Sequence, residues 1–164
     1  MPDNTDLRLL RRAIHLAAQS RERGDHPFGA LLADAEGHIL LEAMNASGTL
    51  GDRTAHAERT LMIEAARHYT PDFLAGCTLY SSAEPCAMCA GTAYWAGIGR
   101  VVYGLGERHL KALIGPHPDN LTLDLPCRTV FAAGQRSVAV LGPLLEDEAE
   151  NSHLGFWDTA GNEH

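Results

Sequence analysis

The sequence predicts an α/β fold, a mixed sheet with helices on both faces, and three observations carry that expectation. Two strand-like runs, residues 28–33 and 39–44, flank an Asp34-Ala35-Glu36-Gly37 turn and read as a hairpin. Beyond the hairpin, helical and strand-like runs alternate, the pattern of parallel strands joined by crossover helices. A long amphipathic run, residues 6–23, precedes both.

In chain order, Leu7, Leu10, Ile14 and Ala17 recur at helical spacing over 6–23, and Gly24 stops the helix. The hairpin follows, and a looser segment, 45–52, leads to a helix over about 54–68. Its inner face carries Leu61, Met62 and Ala65, and Thr54 fits as its cap. Residues 77–81 read as a short strand. Residues 85–94 read as a helix with Pro85 in its first turn, where a missing N–H costs nothing. Strands are expected at 100–104 and 138–141, and a short helix near 107–113. Gly115, Pro116 and Pro118 then mark a loop near the functional site. The acidic stretch 144–152 starts a last helix.

At 164 residues, with 45% hydrophobic and 21% charged residues, the chain is expected to form one domain spanning 1–164. No run reaches the roughly 20 apolar residues that span a bilayer, and the first residues lack a secretory signal pattern, so the reading is cytoplasmic. The net charge of -8 argues against a polyanionic partner such as nucleic acid. Five of the thirteen basic residues, Arg8, Arg11, Arg12, Arg21 and Arg23, fall early and read as a solvated helix face. No Lys or Arg follows Arg136.

Two segments carry chemistry: Thr54-Ala55-His56-Ala57-Glu58 and Glu84-Pro85-Cys86-Ala87-Met88-Cys89. Cys86 and Cys89, three apart at a helix start, put two sulfurs on one face. His56 and Glu58, two apart, would diverge by about 200 degrees within a helix. Both can approach one ion only at a helix start, with the ion beyond its end. His56, Cys86 and Cys89 then hold one zinc ion per chain with a fourth position open, the mark of a catalytic site. Two thiolates neutralise the dication, so a bound water is acidified less than at an all-histidine site, and Glu58 is placed to take its proton. Structural zinc and a redox dithiol are the other readings of the cysteine pair. A closed site would need Cys77, Cys127 or His26 as fourth ligand, and none has paired spacing. Cys77 and Cys127 read as buried thiols.

With these motifs the sequence resembles the cytidine deaminase-like superfamily over about residues 6–145. It is most similar to the branch of bacterial guanine deaminases and tRNA adenosine deaminases. Further supporting residues are Pro27-Phe28-Gly29-Ala30, Asn45 eleven before His56, and Ile98-Gly99-Arg100-Val101-Val102-Tyr103-Gly104. The resemblance implies a three-layer α/β/α sandwich with a five-stranded mixed sheet, a homodimer, and zinc-dependent deamination of a small heterocycle. Guanine or a close purine relative leads. The alternatives are tRNA adenosine, cytosine or another pyrimidine, and a non-enzymatic structural zinc module.

The resemblance also implies substrate contacts. Asn45 would hydrogen-bond the heterocycle, and the backbone N–H groups of Ala57 and Cys86 would line the pocket. Phe28 either walls the base or packs in the core, and Trp95 in Tyr94-Trp95-Ala96 stands between the same two readings. Phe156 and Trp157 would close over the site from the C-terminal segment. Guanine deaminases carry an aspartate shortly after the strand ending Tyr103-Gly104. This chain has Glu107, Arg108 and His109 there, and Glu107 or His109 would substitute. tRNA adenosine deaminases end in a basic helix, whereas this chain ends acidic.

Overall fold

The structure, a computed structural model, describes residues 1–160. The first helix, α1 (Asn4–Arg23), starts two residues earlier than the hydrophobic pattern indicates. Asp3 caps it, accepting the Asp6 N–H while the Asp6 side chain accepts the Asp3 N–H. That reciprocal pair satisfies amides that a helix start leaves unpaired. At the other end Gly24 takes a left-handed conformation, φ 96°, and returns its N–H to Arg21.

The hairpin forms as β1 (Gly29–Ala33) and β2 (Ile39–Met44). The loose segment after it contains one helical turn, α2 (Ser47–Leu50), and leads to α3 (Ala57–His68). A Thr70-capped turn with Pro71 at its start, α4 (Pro71–Leu74), precedes β3 (Thr78–Ala83). Then come α5 (Ala87–Ala96), β4 (Arg100–Leu105) and α6 (Glu107–Ile114). The end of α5 is closed by Arg136, which donates to the carbonyls of Ile98 and Tyr94. A helix the sequence pattern did not reveal, α7 (Cys127–Ala132), leads to β5 (Ala139–Leu141). The acidic segment forms α8 (Glu146–Glu150), and α9 (Phe156–Ala160) follows.

The five strands make one mixed sheet in the order β2-β1-β3-β4-β5. β1 pairs antiparallel with β2 and β3, whereas β3–β4 and β4–β5 are parallel. Side chains alternate between faces, so each strand feeds two cores. Leu31, Ala33, Tyr80 and Val102 meet Leu9, Leu10 and Ala13 of α1. Ala30, Leu32, Leu79, Val101 and Tyr103 meet Leu61, Met62 and Ala65 of α3 and Ala90 and Ala93 of α5. The result is a three-layer α/β/α sandwich. Gly29 shows how closely α1 lies on the sheet: a Cβ there would stand 2.5 Å from the Ala13 carbonyl oxygen and 2.6 Å from the Ala17 amide.

Buried Asp6 pins α1 to the sheet. It accepts two bonds from Arg100, at 2.7 and 2.8 Å, and one from the Tyr80 hydroxyl at 2.6 Å. The Arg100 guanidinium holds the Asp6 carboxyl well below the usual carboxylate range. The early arginines are more than a solvated face. Arg11 pairs with Glu148 of α8 at 3.1 Å and Arg12 with Glu42 of β2 at 2.6 Å, while Arg21 donates to the carbonyls of Ser152 and Leu154.

The parallel strands β3 and β4 end side by side at Ala83 and Leu105. A third apolar cluster gathers there: Leu110 and Ile114 of α6, Ala149 of α8 and Trp157 of α9. No helix among the described residues is long and apolar enough to cross a membrane.

Candidate metal centre and active site

His56 is the N-cap residue of α3, and Cys86 is the N-cap residue of α5. Thr54 is therefore not the cap of α3. It sits in the preceding turn, where its amide and hydroxyl both donate to Asp52. Each cap has extended backbone, so its side chain projects beyond the end of its helix. α3 and α5 share one core, which brings the two ends together. Cys89, one turn into α5, is buried beneath them.

The three side chains converge. Cys86 Sγ and Cys89 Sγ lie 3.6 and 3.5 Å from His56 Nδ1. Zinc bonds of about 2.3 Å to sulfur and 2.0–2.1 Å to nitrogen, at a tetrahedral angle, place sulfur and nitrogen about 3.6 Å apart. The donor set thus fits one zinc ion by type and by separation. The His56 ring donates an N–H to the Arg53 backbone carbonyl, which orients the imidazole with Nδ1 towards the sulfurs. Cys77, Cys127 and His26 do not join this group among the described residues.

The electrostatics suit a cation. Hydrogen bonding to Cys89, then to His56, draws the Cys86 thiol down to about 4, while Cys89 is raised by the same bond to Cys86 and by burial. The pair therefore holds one thiolate readily, and a dication would draw the second proton off. Glu58, in the first turn of α3, is 5% exposed, and burial raises its carboxyl to about 7.

Glu107 opens α6 and is also buried. Burial first, and then the charges of Cys86, Glu84 and Glu58, push its carboxyl to about 8. Its N–H donates to Glu84, two residues before Cys86, at 3.0 Å, which sets the start of α6 beside the metal ligands. His109 is not brought there: its ring nitrogens face Glu146 and Glu150 of α8, at 2.9 and 3.1 Å, and these carboxylates raise its pKa. Asn45 is buried, and its Oδ1 accepts the Ser47 N–H at 2.9 Å, which leaves the amide NH2 as the other end. Ala57, the first residue of α3, has an N–H with no carbonyl four residues back within the helix.

Phe28 is half-buried, with its ring 5.2 Å from His153 and 6.3 Å from Trp157. Trp157 is 4% exposed and donates its indole N–H to His153 Nδ1 at 3.1 Å. His26 joins at 4.9 Å from Trp157 and 5.6 Å from Phe156. Burial lowers the His26 pKa. The backbone sets this cluster near the metal ligands: the Phe28 carbonyl accepts the Asn45 N–H and the Ala55 carbonyl, next to His56, accepts the Ala46 N–H, each at 3.0 Å. Trp95 lies elsewhere, on the far part of α5, 85% exposed and against Tyr94. Nine residues past Cys86, it is roughly 13 Å along the helix from the ligand.

Two residues without an expected role also belong here. Glu84 is buried between helix starts and accepts the N–H of Glu107 at 3.0 Å and of Cys127 at 2.8 Å. It thereby ties the strand end that carries Cys86 to α6 and α7. Its place beside Pro85-Cys86 was the only signal in the sequence. His117, in the loop after α6, packs 5.3 Å from Trp157, and nothing local in the sequence marks it.

Residues 3–105 match the family model described as the cytidine and deoxycytidylate deaminase zinc-binding region. A probable cytosine deaminase of Schizosaccharomyces pombe is 39% identical over 93% of both chains. A tRNA-specific adenosine deaminase of Haemophilus influenzae is 36% identical over 66% of this chain and 62% of its own. The solved guanine deaminase of Bacillus subtilis aligns with a TM-score of 0.59 and 36% identity, over 68% of this chain and 69% of its own. Motif, donor geometry and family model agree: the chain belongs to the zinc-binding cytidine and deoxycytidylate deaminase family, hydrolases that act on C–N bonds.

Proposed function

We propose that this protein deaminates a free nucleobase, with guanine or a closely related amino-oxo-purine as its substrate. The observation that carries the purine reading is Glu107. A guanine deaminase-like site calls for a second acid after β4, and Glu107 supplies it, buried and within electrostatic range of Glu58 and Cys86. A second reading, cytosine, is favoured by the relative that matches over nearly the whole of both chains, the C-terminal segment included. A free base is common to both readings. The packing of Phe28 against His153 and Trp157 supports it, since a site covered by the chain's own tail suits a small base better than a polymer.

His56, Cys86 and Cys89 would hold the zinc, which when bound supplies a Lewis-acidic position that acidifies water. Glu58 would take one proton from the attacking water and pass it to the ring nitrogen beside the amine-bearing carbon; it would then take the second from the added hydroxyl and pass it to the departing amine. Water adds, the C–N bond breaks, ammonia leaves and the ring keeps an oxygen. A carboxyl near pKa 7 suits a group that must both take and give a proton at neutral pH. The Asn45 amide NH2 and the Ala57 N–H orient the base, and Phe28 and Trp157 cover it. Glu107, protonated at neutral pH, donates a hydrogen bond towards the reacting end.

The test is ammonia release from guanine, cytosine, adenine, guanosine and tRNA by the zinc-loaded protein. Guanine is expected to give the highest kcat/KM. Preference for cytosine would move the assignment to the second reading, and activity on tRNA alone would contradict both.

A further inference from the structure

His117 lies in the loop between α6 and α7, ten residues after Glu107, and is 6% exposed. Its Nδ1 accepts the Asp119 N–H at 3.0 Å. In the neutral ring the proton therefore sits on Nε2. That Nε2–H is buried and has no hydrogen-bond partner, a condition shared only by Ser81 Oγ among the buried side-chain atoms of the described residues. Ser81 lies within β3, in the sheet. His117 lies in the cluster of Trp157, His26 and Phe28, and the Phe28 carbonyl accepts the N–H of Asn45, whose neighbour Ala46 donates to Ala55 beside His56, each at 3.0 Å. A donor left unpaired in a dry site is costly unless a ligand brings the acceptor.

We infer that His117 is a specificity residue whose Nε2–H donates to the exocyclic oxygen of the substrate, selecting amino-oxo bases over adenine. The inference rests on the free-base reading above. The ring nitrogen beside the reacting carbon is served by Glu58 at the metal end. In guanine and in cytosine the exocyclic oxygen is on the carbon one ring nitrogen away from the amine-bearing carbon, so a second donor, apart from Glu58, is needed to meet it. Guanine and cytosine each carry one exocyclic oxygen, and adenine carries none. A base with the oxygen completes the bond, whereas a base without it leaves the donor unpaired.

The test is a cycle between residue and substrate group. The zinc-loaded wild type and two variants are assayed on guanine against 2-aminopurine, and on cytosine against 4-aminopyrimidine, pairs that differ in the exocyclic oxygen. His117→Phe keeps an aromatic ring against Trp157, and His117→Asn keeps an acceptor for the Asp119 N–H. Both lack the Nε2–H donor. Each variant is expected to lose about 10- to 100-fold in kcat/KM on the oxo base and to leave the analogue unchanged. Equal losses on both members of a pair would show that the ring only packs against Trp157, and no loss on either would show that it makes no bond; each result overturns the inference. Turnover of none of these bases by the wild type, with activity on tRNA, would instead bring down the free-base reading, and this inference with it.

Discussion

The carboxyls of Glu58 and Glu107 are raised above the ordinary carboxylate range because both are out of water. For Glu107 this fixes a pH dependence of stability. Below the ordinary carboxylate value of about 4.5, folded and unfolded chains are both protonated. As pH rises from there to about 8, the unfolded chain releases a proton that the folded chain retains, so stability falls across that window and levels above it. Glu107→Gln removes the titration. Its melting temperature should rise relative to wild type between pH 5 and pH 9, and a difference independent of pH would contradict the burial. Glu84 makes a different demand, since two buried amides depend on its two oxygens. Glu84→Ala should cost about 1–3 kcal/mol for each amide left unpaired, read by denaturant unfolding. An unfolding free energy equal to wild type would show that water serves those amides instead. His56, Glu58, Cys86 and Cys89 were legible because each pair is local and helix geometry dictates which faces meet. The role of Glu84 was not, because its partners are 23 and 43 residues away.

One element, α1, owes its position to close packing that composition does not announce. α1 lies so close on β1 that Gly29 has no room for a methyl group. Gly29→Ala should force α1 off the sheet and destabilise the protein by about 1–3 kcal/mol, visible in its denaturant midpoint. An unchanged midpoint would show that α1 yields freely. The helices α3 and α5 were legible from apolar spacing, although the start of α3 was not: His56 itself takes the cap position that Thr54 was expected to fill. α7 went unseen because its six residues offer one turn of pattern, with Cys127 and Phe131 its buried pair. His109 illustrates the opposite limit. Its sequence neighbourhood pointed to the site, and the approach of α8 drew it to Glu146 and Glu150 instead.

Across the whole molecule the uneven charge resolves into internal pairing. Arginines of the first helix meet the acidic C-terminal segment through Arg11–Glu148 and through the Arg21 bonds to Ser152 and Leu154. Exposed pairs of this kind contribute little each, at most about 1 kcal/mol. The tail is held chiefly by Trp157, whose burial against His26, Phe28 and His117 is of the size that costs about 3–5 kcal/mol to remove. Deleting residues 153–164 should leave zinc content intact and lower kcat/KM, and unchanged turnover would separate the tail from the site. The most direct test of the central claim joins metal content and chemistry in one residue. Zinc and ammonia release are measured side by side for wild type and Glu58→Gln on the preferred base. One zinc per chain in both, with turnover reduced by about 10²–10⁴-fold in the variant, is the expected result. Near-normal turnover in the zinc-loaded variant would contradict it.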